Sequence, residues 1–238
     1  MGLLFEGIVQ AFQLLLSADA ELMQIAGLSL VVSGAATGIS LLIGLPLGTW
    51  LALASLRGRG VTMSFVNTGM AVPPVVVGLF VAIMLWRSGP LGDLRLMYTP
   101  AAMVMAEVII ATPVIVGLTA AALRQLDPRL RLQLLGLGGS RWQTTWWLWR
   151  EARLPLLAAI MAGFGSVISE VGAAMMVGGN IRGETRVLTT AISLETSKGD
   201  IELSMALGII LLSIALIINL ILSWLQQRGA AIKTRAVD

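Results

Sequence analysis

The sequence has 238 residues, of which 57% are hydrophobic and only 12% are charged, with a formal net charge of +3. Soluble domains carry about 25% charged residues, so this composition excludes a protein whose whole surface faces water. Cysteine and histidine are both absent, which excludes a disulfide framework, a thiolate metal site and the usual general base of catalysis near neutral pH. We expect one all-α domain, residues 1–238, that forms a polytopic membrane helix bundle.

The first 21 residues predict an interfacial segment rather than a membrane crossing. Residues 1–19 contain Glu6 and neither Lys nor Arg, whereas a secretory signal peptide begins with a positively charged region. The uncharged stretch from Gly7 to Ala18 has 12 residues, which is too few to cross a bilayer. Residues 1–21 are therefore expected to form a helix at the membrane surface that leads into the first crossing.

Five long stretches with few or no charged residues follow along the chain. Three of them contain no charged residue, and the other two contain one glutamate each, Glu107 or Glu170. A helix needs roughly 20 apolar residues to cross the hydrocarbon core, and each stretch is longer than that. The sequence thus predicts five transmembrane helices, with cores near residues 25–52, 62–85, 99–122, 155–177 and 203–225.

The distribution of Lys and Arg predicts the orientation of these helices. One side collects eleven of the sixteen basic residues: Arg57, Arg59, Arg124, Arg129, Arg131, Arg141, Arg150, Arg153, Arg228, Lys233 and Arg235. Cytoplasmic loops are enriched in Lys and Arg, so the N-terminus is predicted outside and residues 226–238 as a cytoplasmic tail. Trp50, Trp86 and Trp224 lie at predicted helix ends, as in an aromatic belt. We expect a multi-pass protein of the cytoplasmic (inner) membrane.

Glycine and proline recur within the predicted helices. Glycines lie four residues apart in the first helix, as the pairs Gly34–Gly38 and Gly44–Gly48. Such pairs allow close helix packing within one chain or between two chains, and we favour packing within the chain. Prolines lie in or at the start of predicted helices at positions 46, 73, 74, 100 and 113. Each can kink a helix, which suits a protein that opens and closes, although static kinks are commoner than hinges.

Glu107 and Glu170 are the acidic residues of the predicted helix cores. A charge in the middle of a bilayer is costly, so a carboxyl group at this depth suggests a functional site. Two alternatives stay open: a protonated glutamate hydrogen-bonded to a neighbouring helix, or a glutamate held by an arginine at a subunit interface. Carboxylates do not suit the lining of an anion path, so neither residue is assigned to direct substrate contact.

The largest connection on the predicted cytoplasmic side, residues 125–153, has the features of an ordered loop. Asp127 followed by Pro128 predicts an N-cap with proline in the first helical position. Gly138 and the glycine after it predict the end of this helix, and Ser140 can cap a second one. The loop is therefore predicted to form two short helices that meet at a glycine corner.

Tryptophan is concentrated in the second of these short helices. Trp142, Trp146 and Trp149 fall on one helix face, because they are four and then three residues apart. We expect these three side chains to anchor the loop at the membrane surface. A loop that forms two capped helices is more ordered than a simple connection requires, which suggests that a cytoplasmic partner binds it.

The same loop resembles the cytoplasmic coupling loop of ABC importer permeases. The pattern of that family is Glu-Ala-Ala, three residues, Gly, nine residues, Ile, one residue and Leu-Pro. Gly138 matches the glycine, and residues 154–155 match the Leu-Pro pair. Fifteen residues separate Gly138 from Leu154, against eleven in the general pattern, and the surplus is about one helical turn. Leu132, Gln133 and Leu134 stand at the Glu-Ala-Ala positions. The resemblance implies contact with an ATPase subunit through Leu132, Gln133, Leu134, Gly138, Gly139, Ser140 and Arg141.

Three further segments resemble the permeases of tungstate importers, which are relatives of molybdate and sulfate permeases. They are TGMAVPPVVVGL (68–79), SGPLG (88–92) and EVGAAMMVGGNIRGETRVLTTAISLETSKGD (170–200). The resemblance implies a type I importer permease fold and a homodimer that encloses a central oxyanion path. It also implies two cytoplasmic ATPase subunits and an extracytoplasmic oxyanion-binding protein as partners. No nucleic-acid partner is expected.

ATP hydrolysis is expected on a separate subunit. The sequence contains no Gly-x-x-x-x-Gly-Lys-Ser/Thr phosphate loop, so ATP and Mg²⁺ are expected on the partner ATPase and no cofactor or metal on this chain. The chain itself is then expected not to be an enzyme. The resemblance implies that it receives nucleotide-driven closure through the coupling loop and passes it to the helices as alternating access.

Hydroxyl groups are the candidates for the anion path, because a permease that must release its anion needs only weak contacts. Capping or helix–helix hydrogen bonds are the alternative role of each candidate. Arg182, Arg186 and Lys198 could steer an anion outside the membrane, but three acidic neighbours make the local field nearly neutral. The candidates for the path are Ser166, Ser169, Thr189, Thr190 and Ser193.

Three functions compete at this point. The first is an oxyanion permease of an ATP-driven importer, with tungstate as the leading substrate and molybdate or sulfate as alternatives. The second is a self-sufficient secondary transporter with Glu107 or Glu170 as a proton site, which the ordered loop and the lack of an inverted repeat disfavour. The third is an intramembrane enzyme, for which the sequence offers no His, no Cys and no paired carboxylates in helical register.

Overall fold

The computed structural model describes residues 2–17, 19–54 and 58–234, and the regular structure in these ranges is helical. A 3-10 turn, Gly92–Leu94, lies between the fourth and fifth α-helices. The helices are α1 (Gly2–Leu16), α2 (Ala20–Leu53), α3 (Arg59–Ala71), α4 (Pro74–Leu85), α5 (Pro100–Arg124), α6 (Pro128–Gly136), α7 (Arg141–Glu151), α8 (Arg153–Ile168), α9 (Gly172–Gly178), α10 (Leu188–Lys198) and α11 (Ile201–Thr234).

Within the described ranges, three helices are long and apolar enough to cross a membrane unbroken: α2, α5 and α11. They coincide with the first, third and fifth predicted crossings. Helix α11 continues through Thr234 and so runs into the segment predicted as a cytoplasmic tail, whose last residues, 235–238, lie outside the described ranges. Five crossings are reached when each of two bent helix pairs counts as one crossing.

The second predicted crossing is a bent pair of helices, not the single helix expected from the sequence. Helices α3 and α4 meet at an angle of 92°, and each is too short to cross the bilayer alone. Pro73 lies at the break with an extended backbone, and Pro74 is the first residue of α4. A residue before proline is driven out of the helical region, so this Pro-Pro step ends α3 and starts α4 in a new direction.

The fourth predicted crossing, residues 155–177, is also divided. Helix α8 ends at Ile168, and α9 begins at Gly172 after a short irregular segment. At its other end α8 joins α7 with a bend of 77°. Helix α8 has 16 residues, which span about 24 Å, so it needs an adjoining segment to complete a crossing.

Helices α2 and α5 pack closely along their length. A Cβ atom on Gly44 would lie 2.7 Å from the Ile115 side chain, and one on Gly48 would lie 2.7 Å from Thr119. These two glycines therefore serve packing within the chain, as expected. The other pair differs, because a Cβ atom on Gly34 or Gly38 would have no neighbour within 4 Å in the described part of the chain.

Apolar clusters close the bundle at both ends. At one end α1 packs along the first turns of α11, where a Cβ atom on Gly7 would lie 2.9 Å from Met205 and where Ala11 is buried. The segment predicted as interfacial is thus a helix that lies against the bundle. At the other end Leu123 of α5 and Leu148 of α7 are buried in one cluster, against which the last turns of α2 and the first turn of α6 pack.

Candidate functional site

The segment from Asp127 to Glu151, which we call the corner, has the local structure predicted from its sequence. Asp127 accepts a hydrogen bond from the backbone N–H of Arg129 at 2.8 Å, and Pro128 opens α6. Gly138 has φ of +82°, the left-handed conformation that favours glycine. Ser140 caps α7 and exchanges reciprocal hydrogen bonds with Gln143. These contacts fix the direction of α7 relative to α6.

The corner exposes large apolar side chains. Leu132 is 68% exposed, and Leu137 is 86% exposed next to the turn. A cluster of exposed leucines is typical of a surface that binds a protein partner. Leu134 is turned toward the bundle, and its carbonyl accepts a hydrogen bond from the N–H of Gly139. Of the residues predicted to contact an ATPase, Leu134 and Gly139 are half-buried, and the exposed ones are Leu132, Gln133, Gly138, Ser140 and Arg141.

The tryptophans of α7 differ in exposure, and their anchoring at the membrane surface stays a prediction. Trp142 and Trp146 are exposed, as anchoring requires. Trp149 is half-buried, and its indole N–H donates a hydrogen bond to the hydroxyl of Thr49 in α2 at 2.8 Å. The cause is the bend between α7 and α8, which brings the end of α7 against α2. Trp147 instead faces outward, with the Arg150 guanidinium 4.7 Å from its ring centre.

Arginines from three helices hold the last carbonyl groups of α2. Arg59 donates to the carbonyls of Leu51 and Ala52, at 2.6 Å to that of Leu51. Arg124, the last residue of α5, donates to the same Leu51 carbonyl at 3.5 Å. Arg131 of α6 donates to the carbonyl of Leu53 at 2.9 Å. Carbonyls at a helix C-terminus lack partners within the helix and carry partial negative charge, so guanidinium groups stabilise this end.

The two intramembrane glutamates lie near each other at the centre of the bundle. Glu107 is 3% exposed, and its Oε2 atom has no hydrogen-bond partner among the described residues. Glu170, 9% exposed, and Ser33, 4% exposed, are buried in the same bundle. Glu170 itself accepts a hydrogen bond from the N–H of Ala173 at 2.9 Å and so caps the first turn of α9. This position gives Glu170 a structural role in the irregular segment between α8 and α9.

Four of the five hydroxyl candidates for the anion path make hydrogen bonds within the chain. Thr189 donates to the carbonyl of Glu170 at 2.7 Å, and Thr190 caps α10 through the N–H of Val187; both threonines are buried. Ser166 and Ser169 donate to carbonyls of their own helix, at 2.7 and 2.8 Å. Only Ser169 is exposed in this set, and Ser193 is half-buried. Ser169, at the end of α8 beside Glu170, is thus the hydroxyl most open to a ligand.

The face opposite the corner carries charges that pair with each other. Arg182 and Arg186 form ion pairs with Glu21 at the start of α2, and Lys198 pairs with Glu195 at 2.8 Å. Hydrogen bonding to Glu21 raises the pKa of the Arg182 guanidinium. These pairs agree with the nearly neutral field expected for this face, and they tie the 179–187 loop to α2.

A separate cavity of about 1070 Å³ on that face lies beside the 3-10 turn. Its lining includes Arg87 and Arg95, together with Asp93 and Tyr98. No group of acidic residues that could hold a metal ion occurs within the described ranges.

Known proteins with similar sequences belong to one class of transport protein. The family profile described as "Binding-protein-dependent transport system inner membrane component" matches residues 44–229. The chain is 41% identical to a probable anion ABC transporter permease protein of Haloferax volcanii over 203 residues, which cover 83% of this chain and 88% of that protein. It is 38% identical to the tungstate uptake system permease protein TupB of Peptoclostridium acidaminophilum over 227 residues, which cover 95% and 100%.

The fold also has counterparts among solved structures. A chain of a bacterial ABC transporter involved in the import of the acidic polysaccharide alginate superposes with a TM-score of 0.69 at 20% identity. The superposition covers 94% of this chain and 83% of that one. At this identity the likeness concerns the fold alone, which is the type I fold of ABC importer permeases.

Proposed function

Because this chain belongs to the family of binding-protein-dependent transport system inner membrane components, we propose that it is the permease subunit of an ATP-driven tungstate importer. The assignment of tungstate as the substrate rests on the 38% identity with a tungstate uptake permease over that protein's whole length. The similarity to a probable anion permease supports an anion as the transported class. Molybdate and sulfate are the alternatives, because permeases for both are more distant relatives, at 26–28% identity.

The importer would assemble from several chains. Two copies of this chain would enclose the path, two ATPase subunits would bind ATP and Mg²⁺, and a binding protein would deliver the anion from outside. The exposed leucines of the corner, Leu132 and Leu137, support the corner as the ATPase contact, because they offer apolar area that the bundle does not cover. The rest of this contact would be Gln133, Gly138, Ser140 and Arg141, with Leu134 and Gly139 holding the shape of the turn.

The proposed orientation places the corner in the cytoplasm and the N-terminus outside. Its support is the excess of Lys and Arg on the corner side, eleven against five. The chain would then be a multi-pass protein of the cytoplasmic membrane. The paired face around Glu21 and Arg182 would be extracytoplasmic, where the binding protein docks.

Transport would follow an alternating-access cycle in which this chain holds the anion only weakly. A path that must release its ion cannot bind it tightly, so isolated hydroxyls such as that of Ser169 suit the task better than a ring of cations. Glu107 and Glu170 would keep the fold of the bundle rather than contact the anion, because like charges repel.

Uptake by the complete importer in proteoliposomes tests the substrate. The permease, its ATPase and its binding protein are reconstituted, and uptake of labelled tungstate is measured against increasing molybdate or sulfate. We expect tungstate to be imported and to be displaced poorly by the other two anions. Preferential import of molybdate or sulfate would overturn the tungstate assignment but keep the importer, whereas no ATP-dependent import of any oxyanion would overturn both.

A further inference from the structure

We propose that Trp149 and Arg131 are positioning residues that transmit movement of the corner to α2, the first membrane span. This inference rests on the proposed function, because it concerns how an ATPase bound at the corner moves the spans. The corner is continuous with α5 and α8 in sequence, so the chain itself connects it to them. Its connection to α2 is not covalent: it consists of the apolar cluster around Leu148 and of hydrogen bonds between residues far apart in sequence.

The first of these bonds joins α7 to α2. The Trp149 indole N–H donates to the Thr49 hydroxyl at 2.8 Å, across 100 residues of sequence. Thr49 is 6% exposed, and its own hydroxyl hydrogen is directed to the carbonyl of Leu45 at 2.6 Å. The hydroxyl oxygen is therefore an acceptor, and an indole N–H is a donor only, so the pair is chemically matched. Trp149 also packs in the apolar cluster that holds the last turns of α2.

The second bond joins α6 to α2 one turn further along. Arg131 donates to the carbonyl of Leu53 at 2.9 Å, and Leu53 is four residues after Thr49. Both helices of the corner thus hold the last two turns of α2. Arg59 and Arg124 donate to the carbonyl of Leu51 in the same part of α2. These bonds satisfy carbonyl groups that lack partners within the helix, and they hold the end of α2 in place relative to α3 and α5.

Helix α2 in turn cannot slide freely on α5. Gly44 and Gly48 let the two backbones meet so closely that a single methyl group would not fit. The Ser40 hydroxyl of α2 also donates to the carbonyl of Val108 in α5, at 3.3 Å. Closely packed helices move as units rather than deform. A displacement of the corner therefore moves α2 and α5 together.

Conservative substitutions test the α7–α2 bond in the complete importer. Trp149→Phe removes the N–H but keeps an aromatic ring, and Thr49→Val removes the acceptor at nearly the same volume. One neutral hydrogen bond corresponds to roughly a two- to tenfold change in an equilibrium. We expect each variant to raise the ATP hydrolysed per anion imported by about two- to tenfold, and the double variant to be no worse than either single one. Arg131→Lys, which loses the guanidinium geometry, is expected to act in the same direction.

Matched controls separate this role from simple support of the fold. Trp146→Phe changes a 53% exposed tryptophan on the same helix, and Thr37→Val removes the same kind of hydroxyl-to-helix bond from α2. Arg129→Lys changes an exposed arginine two residues from Arg131. These controls should leave the ATP-to-anion ratio unchanged. An unchanged ratio in Trp149→Phe, Thr49→Val and Arg131→Lys, with normal uptake by the parent importer, would refute the inference.

A covalent tether supplies an independent test, because the parent sequence contains no cysteine. The Thr49→Cys, Trp149→Cys double variant lacks the bond and should be uncoupled, and a short bismaleimide linker between the two thiols should restore coupled uptake. Loss of uptake on linking would mean that the two groups separate during transport, which contradicts the inference. Failure of the proposed function is distinct, since the parent importer would then show no ATP-dependent oxyanion uptake.

Discussion

The sharpest single test of the corner is an alanine at Gly138, because its effect comes from the backbone alone. Gly138 has φ of +82°, and a Cβ atom placed there would meet no atom within 4 Å. The methyl group of an alanine would therefore make no steric clash. The substitution raises the free energy of the corner only through the left-handed backbone conformation, by about 1–2 kcal/mol for an L-residue. If the free variant relieves this cost by leaving the present corner, and the ATPase binds only that corner, the affinity falls by up to about 5- to 30-fold.

Gly136, at the end of α6, provides the matched control. A Cβ atom there also has no neighbour within 4 Å, but the residue is helical and has no positive φ. Gly136→Ala should leave affinity unchanged or improve the helix by up to about 1 kcal/mol. The assay is the equilibrium binding of the purified ATPase to the permease in nanodiscs, after gel filtration shows that both variants are folded. Equal affinities for Gly138→Ala and Gly136→Ala would refute the reasoning.

Three further predictions concern the bundle. Gly48→Ala should destabilise the protein by about 1–3 kcal/mol, seen as a lower Tm in detergent, because its Cβ would press on Thr119; Gly38→Ala, where that space is open, should not. Glu107→Gln should keep wild-type uptake, because a neutral amide of the same size fits the buried site; loss of uptake would show that an ionised carboxylate is needed. Glu21→Gln should speed tryptic cleavage after Arg182, because the ion pair that holds the 179–187 loop is lost; an unchanged rate would mean that other contacts hold this loop.

Local signals in the sequence were sufficient for the corner. Proline after Asp127, the glycine at 138 and the serine at 140 act on their own or adjacent residues, so their effect on the backbone does not depend on the rest of the fold. Hydrophobic length likewise located α2, α5 and α11, because a bilayer requires it.

Contacts between distant residues could not be predicted in this way. The sequence predicts a kink at the Pro73–Pro74 step, but hydropathy contains no information on the angle between two helices, so it does not predict the 92° bend. Trp149 has the same helical spacing as Trp142 and Trp146, and only the approach of α2 distinguishes it. In the sequence, the arginines that hold the end of α2 cannot be distinguished from the other basic residues of the predicted cytoplasmic side. Their partners are backbone carbonyls, which no sequence pattern reveals.

The central claim is that this chain moves an oxyanion only as part of an ATP-driven assembly. The most direct measurement compares labelled tungstate uptake into proteoliposomes that contain this chain alone with uptake into those that also contain the ATPase and the binding protein. We predict no uptake by the chain alone, and uptake by the assembly that requires ATP and stops with a non-hydrolysable analogue. Tungstate uptake by the chain alone, driven by its own gradient or by a proton gradient, would contradict the claim.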